Sequence, residues 1–216
     1  MAAVVQDDFA VLQRWRDGER TAGSELLQRH FDSLYRFFRN KAGADCDDLI
    51  QRTFLACVES RDRFRGDSSF RSYLFTVARH ELYRHYQKAN RGQKMVVDMS
   101  TMSVIQLGSS PSSKAARREE EQILLEALAQ IPVDLQITLE LHYWEGMSTT
   151  EIAAVLEIPS GTVKSRLRRA REAVLVVMKN SRSPENAALA ETIDRFEHWA
   201  VAVREIVDRD GSAGPE

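Results

Sequence analysis

The sequence predicts an all-α protein: an N-terminal helical bundle and a C-terminal helix-turn-helix domain joined by a flexible linker, with an extra C-terminal helix. Three observations carry this. At 216 residues the chain has room for two small cores rather than one. Only ten glycines and five prolines punctuate long patterns of 3.6-residue period, which leaves little for hairpins. The helical period lapses once, from residue 92 into the run GSSPSS at 108–113, as a linker does. The expected division is therefore a domain over 1–91, a linker over 92–110, a second domain over 111–180 and an extension over 181–216.

Taken in order, Asp7 or Asp8 is suited to cap a first helix with apolar positions Phe9, Leu12 and Trp15, and Gly18 to stop it. A longer helix from about residue 21 to 40 carries Leu27, Phe31, Leu34 and Phe38 at spacings of four, three and four, which is a core stripe. Gly43 and Ala44 interrupt it, and Asp45 and Asp48 frame the next start, DCDDLIQRTFLACVES. On that third helix Cys46, Ile50, Thr53, Phe54 and Cys57 share a core face. Asp48, Gln51, Arg52 and Glu59 share the other, with Leu55 among them. A leucine inside a charged face is a docking spot or an ordinary exposed leucine.

Residues 61–69, RDRFRGDSS, form a basic loop with Gly66 at its turn; Ser68 or Ser69 then caps the helix FRSYLFTVARHELYRHYQKANR. Nine basic residues from Arg61 to Lys94 face three acidic ones, net +6, and Phe64, Phe70, Tyr73, Phe75, Tyr83 and Tyr86 are interleaved with them. Cations follow a phosphate backbone while aromatic faces stack unpaired bases, so the mixture suits melted nucleic acid. The plainer reading gives the aromatics to a core, and the spacing of Phe70, Leu74, Val77 and Ala78 does make them core.

Beyond the linker, Ser110 and Pro111 begin KAARREEEQILLEALAQI, which stops near Pro132, and a helix from 134 to 145 is closed by Gly146. Then comes the most organised stretch, STTEIAAVLEIPSGTVKSRLRRAREAV. Ser148 and Glu151 have capping-box spacing, and Glu157, Ile158 and Pro159 break the short helix they open. Ser160 caps a second helix with Val163, Leu167, Ala170 and Val174 as its stripe, turning Thr162, Ser165, Arg168 and Arg169 outward, with Lys164 at the boundary. Lys164, Arg166, Arg168, Arg169 and Arg171 against Glu172 alone give net +4. Two helices, a tight turn and a cationic second helix describe a helix-turn-helix that enters a DNA major groove. After Asn180, Leu189, Ile193, Phe196, Ala200, Val203 and Val207 recur at helical spacing, an amphipathic stripe that needs a partner, either this chain's own domains or another protein.

The exclusions are as useful. Cys46 and Cys57 stand eleven apart and match no zinc or CxxC spacing, so no metal or cofactor is expected. The dense carboxylates Asp45, Asp47 and Asp48 lie at a helix start, where capping explains them, so catalytic residues are expected to be none. No apolar run approaches the ~20 residues of a membrane span, and the N-terminus lacks a signal pattern; a cytoplasmic protein is expected. A net charge of −2 and pI near 6.2 argue against a protein that coats DNA unaided, and fit one delivered by a larger partner.

With DDLIQRTF at 47–54, DRFRGDSSFRSYLFTVAR at 62–79 and EGMSTTEIAAVLEIPSGTVKSRLRRAR at 145–171, the chain resembles the bacterial RNA polymerase sigma factors of the extracytoplasmic-function group. The resemblance runs from about residue 9 to 178, and it implies a subunit that binds core RNA polymerase and directs promoter-specific initiation. It implies that Asp48, Leu49, Gln51 and Arg52 dock on the polymerase clamp, and the face reading above adds Leu55 to them. It implies that Phe64, Arg65, Phe70, Arg79, His80 and Arg84 melt the downstream promoter element and hold a flipped non-template base. Lys164, Ser165, Arg168 and Arg169 would read the duplex upstream element, with Thr162 and Arg166 on phosphates. The linker would thread the polymerase cleft at the nucleoid. The C-terminal helix lies beyond the resemblance and is expected either to cover or to stabilise the chain's own domains, an anti-sigma factor being the other expected partner. The chain departs from the family pattern at Arg52, Tyr73, His80, Arg84 and Glu157. Two rivals are a stand-alone helix-turn-helix regulator, which has no use for the aromatic and basic stretch 61–91, and a nucleic-acid enzyme, which needs a catalytic cluster.

Overall fold

A computed structural model describes residues 2–64, 66, 68–91, 97–108 and 119–180. The first block contains α1 (Ala2–Arg16), α2 (Arg20–Arg29), α3 (Phe31–Ala42), α4 (Cys46–Ser60) and α5 (Phe70–Ala89), with 3-10 turns at Gly43–Asp45 and Arg61–Arg63. The second contains α6 (Glu119–Gln130), α7 (Val133–Tyr143), α8 (Thr149–Leu156) and α9 (Ser160–Asn180). Among the described residues the only β-type pairing is one isolated bridge between Ser103 and Pro132, so the all-α expectation stands. No helix of the described residues is long and apolar enough to cross a membrane. The helix expected over 181–216 lies outside the described residues.

Three expectations for the N-terminal helices need correction. Asp8 does not cap α1; it sits inside the helix, buried, with its Oδ2 2.7 Å from His30 Nε2. The single long helix of 21–40 is two, α2 and α3, broken at His30, whose φ of −104° and ψ of 1° leave the α basin. The pairing with Asp8 fixes that break, and a contact twenty-two residues away leaves no trace in a local period. Phe9, expected in the core, is 52% exposed, while Val11, Leu12 and Trp15 are buried. Gly23 lets α2 lie against Trp15: a Cβ there would meet the indole ring at 2.5–2.8 Å.

Other local signals hold. Gly43, at φ 54°, ends α3. Ser69 caps α5 by accepting from the Ser72 amide at 3.1 Å. The capping box of α8 is complete: Ser148 Oγ accepts from the Glu151 amide and Glu151 accepts from the Ser148 amide. Val163, Leu167, Ala170 and Val174 are all buried, joined by Met178; each such Val, Leu or Met adds about 1.5–3 kcal/mol of apolar transfer.

The expected flexible linker has internal order over 97–108, which lie in turns. Met99, Val104 and Leu107 are buried, and the Val133 and Asp134 amides at the start of α7 donate to the Met102 and Met99 carbonyls, both at 3.0 Å. The mixture of Met, Val and Ser that breaks the helical period thus supplies apolar anchors and carbonyl caps for α7.

The two blocks share one continuous buried cluster, with α5 packed on α8 and α3 on α6. Polar contacts stitch the seam. Lys41 of α3, fully buried, donates to Glu140 of α7, which Gln136 also holds at 2.9 Å. Buried Glu145 accepts from Arg36 Nε at 3.0 Å, Ser33 Oγ at 2.9 Å and Arg71. Tyr83 donates to Asp134, and Arg79 to Glu157.

Candidate nucleic-acid interface

The outward face of α9 is the simplest of three candidate surfaces. Its helix starts after Pro159, and burial of the Val163–Leu167–Ala170 stripe leaves Lys164, Ser165, Arg168 and Arg169 in solvent. Ser165 donates to the Thr162 carbonyl at 2.9 Å, and Arg168 reaches Glu172 at 3.0 Å, an exposed i,i+4 pair that yields readily to a stronger anion. Arg166 departs from expectation. Its side chain is only 17% exposed and pairs with Asp134 at 3.1 Å, so it anchors α9 to α7 rather than standing free with the others. Its position one residue before Leu167 puts it on the flank of the buried stripe, where a carboxylate on the neighbouring helix captures it.

The second surface joins the loop before α5 to the α5 flank. Phe64 is half-buried, its ring 4.9 Å from Tyr73 and 6.4 Å, edge-on, from Phe70. Phe70 itself is buried and forms the floor of this aromatic corner rather than a free stacking face. Arg65 lies outside the described residues. Tyr73 bonds through its hydroxyl to Ser60 Oγ, and burial pushes that hydroxyl's pKa up. Arg16 reaches from α1 to hold the loop: it donates to the Arg61 carbonyl at 2.8 Å and to the Phe64 carbonyl, with its guanidinium 5.9 Å from the Phe64 ring centre. Arg84 is exposed and pairs with Glu81 one turn back.

Arg79 and His80 are not free. Arg79, largely buried, pairs with Glu157 from the turn of the second block, and His80 Nε2 lies 3.3 Å from the same carboxylate. Some burial raises the Glu157 carboxyl, but Arg79 and His80 outweigh it and hold it below the ordinary range. Glu157 sits at φ 56°, ψ 43°, the left-handed conformation. The sequence shows it only as a turn residue; its role as a partner of Arg79 and His80 has no local signal.

The third surface is the polar face of α4. Asp48, Gln51 and Leu55 are exposed, and Arg52 pairs with Asp48 at 2.7 Å. Leu55 is 57% exposed and Val58, one turn on, 40%. Val58 was missed, though its i+3 spacing from Leu55 made it findable. Leu49 is fully buried and cannot touch a docking partner; it fixes α4 to the bundle. Cys46 and Cys57 are buried, and burial pushes both thiols up to about 12, which makes them inert packing groups. The described residues contain no cluster of three or more metal-binding side chains.

Residues 26–92 match the model of sigma-70 region 2, and residues 121–174 that of sigma-70 region 4. The chain is 29% identical over 175 residues to the ECF RNA polymerase sigma-E factor of Escherichia coli strain K12, covering 77% of this chain and 92% of that protein. It is 26% identical over 175 residues to the sigma-E factor of Haemophilus influenzae, covering 77% and 93%. Among solved structures, CnrH in complex with the cytosolic domain of CnrY aligns with a TM-score of 0.59 at 22% identity, over 81% of this chain and 99% of that one. The sigma factor RpoE in complex with the anti-sigma factor NepR, from Bartonella quintana, aligns with a TM-score of 0.51 at 21% identity, over 84% and 100%. These two share the fold.

Proposed function

The chain belongs to the sigma-70 family, in its extracytoplasmic-function group, and from that premise we propose how its surfaces divide the work of initiation. It binds core RNA polymerase and directs promoter-specific transcription initiation. Sigma factors as a class are not enzymes, and no catalytic residue is assigned. In our reading the domains are residues 1–91 and 111–180. The α4 face of Asp48, Gln51, Arg52, Leu55 and Val58 docks on the polymerase. The loop around Phe64 and the α5 flank with Arg79, His80 and Arg84 take the melted non-template strand of the downstream element. Lys164, Ser165, Arg168 and Arg169 read the upstream element from the major groove, with Thr162 on a phosphate. The neighbour from Bartonella quintana is bound to an anti-sigma factor, and such a factor is the partner we expect to control this chain at the nucleoid.

One observation carries the reading: an exposed cationic recognition helix and an aromatic, cation-flanked corner occur in order on one chain. A stand-alone duplex regulator has no use for the second. Transcription reconstituted with core polymerase tests it. Promoter-specific transcripts are expected only when this chain is added. Duplex binding without polymerase association or transcripts would return the protein to the stand-alone class. His80→Asn is expected to change base preference in the downstream element, and an unchanged promoter profile would remove His80 from the pocket.

A further inference from the structure

Phe9 stands half exposed on α1, and its ring edge rests on the turn of the basic loop: a Cβ placed on Gly66 would lie 3.5 Å from Phe9 Cε2. A single exposed phenylalanine is ordinary on a protein surface, so its neighbours decide its meaning. We propose that Phe9 is a further strand-binding residue, on whose ring the unpaired base next to the flipped one stacks as the non-template strand passes the loop. The inference rests on the reading of the Phe64 loop and the α5 flank as the strand-binding surface. It places a contact outside residues 26–92, which match sigma-70 region 2.

Three features favour a stacking ring over an idle one. The first is placement. Phe9 and Arg16 stand seven apart, about two helical turns, and so share one face of α1. Arg16 donates to the Arg61 and Phe64 carbonyls at one end of that face, and Phe9 meets Gly66 at the other, so the loop runs along it. The second is rigidity. Asp8, next to Phe9, is buried with its Oδ2 2.7 Å from His30 Nε2, and Val11 and Leu12 are buried one turn on. The helix is thus held from its inner side, while Gly66, at φ 82°, occupies a conformation that glycine takes without strain. A ring set on a fixed helix and a fixed turn loses little freedom when a base arrives. The third is the open face. Phe64 spends its ring on Tyr73 and Phe70, whereas Phe9 makes no ring contact among the described residues. An aromatic face takes any base, and cations beside it follow the backbone. Arg61, its side chain 34% exposed and its guanidinium 5.8 Å from the Trp15 ring centre, is such a cation at the α1 surface.

The test uses the full chain reconstituted with core RNA polymerase. The promoter's non-template strand carries 2-aminopurine, a base whose fluorescence is quenched by stacking, moved one position at a time through the melted element. With the unaltered chain the flipped position is expected to change its signal on melting, while the base beside it stays quenched. Phe9→Leu keeps an apolar side chain on Gly66 but offers no ring. It is expected to brighten that neighbouring base and to weaken binding of the single-stranded element by about ten-fold, whichever base stands there. Phe9→Trp keeps a ring and is expected to restore both. Leucine is a good helix former and no buried ring is removed, so helical circular dichroism should be unchanged. An unchanged neighbour and unchanged affinity in Phe9→Leu, with the flipped position still reporting, would overturn the proposal and leave the loop reading intact. A change at the flipped position as large as at its neighbour would make Phe9 a prop for the loop, which also overturns it. No change at any position with the unaltered chain would remove the loop from the strand's path, and the proposal with it.

Discussion

At the scale of single residues, the same side-chain type does different work according to what faces it. Arg168 and Arg169 stand in solvent on α9, while Arg166 between them and the turn is held by Asp134. Arg169→Ala is therefore expected to relax base preference at one or two upstream positions, because a bidentate arginine–guanine contact discriminates by about 1–3 kcal/mol. Binding measured across a panel of upstream variants checks this; a uniform loss would reassign Arg169 to phosphate. Arg16 is a positioning residue of a different kind, since it holds the Arg61 and Phe64 carbonyls from outside the matched region 26–92. Arg16→Ala should loosen the aromatic corner and weaken promoter melting while leaving upstream duplex binding intact. Lysine supplies the charge without the fork that reaches both carbonyls, so Arg16→Lys should rescue only in part. Permanganate reactivity of the melted strand, measured beside duplex affinity, separates the two effects.

Helices show how faces are divided. The close approach of α1 and α2 depends on the missing Cβ of Gly23 beneath Trp15. Gly23→Ala gains helix propensity but forces the rigid indole to move, and overpacking of this kind costs about 1–3 kcal/mol. A lowered midpoint in urea, with the same slope, is the expected result, whereas a raised midpoint would show that Trp15 yields freely. On α4 the division is between Leu49, buried, and Leu55 with Val58, open to solvent. Leu55→Glu removes no core atoms, so circular dichroism should be unchanged while affinity for core polymerase falls. Equal affinity would remove Leu55 from the docking face.

The two described blocks share an apolar cluster and a seam of ion pairs, and titration of those pairs gives the seam a pH dependence. Burial raises the Glu145 carboxyl, but Arg36 and Arg71 outweigh it and hold it below the ordinary carboxylate range, as Arg79 and His80 do for Glu157. A carboxyl depressed in the folded state contributes stability that is full above its unfolded pKa, about 4.3. That contribution is lost as pH falls through the lower folded value. Glu140, raised by burial, acts with the opposite sign, so the acid limb belongs to Glu145 and Glu157. The urea midpoint should hold from neutrality to about pH 5 and fall below about 4.3. Glu145→Gln should flatten that limb, and a limb of unchanged depth would point to other carboxyls.

The sequence by itself determined what is local. Capping chemistry fixed the starts of α5 and α8, and the 3.6-residue period fixed the buried stripe of α9. Motif order was enough to reach the family, because the two blocks carry their own patterns. Tertiary structure alone decided the break at His30, the burial of Leu49, the inward turn of Arg166, the packing of residues 97–108 and the carboxylate seam between the blocks. The physical reason is the same in each case. Periodicity states which face of a helix is apolar, but a charged or break-forming residue is directed by a partner that can lie more than a hundred residues away, as Glu145 does from Arg36, and no local pattern encodes that distance.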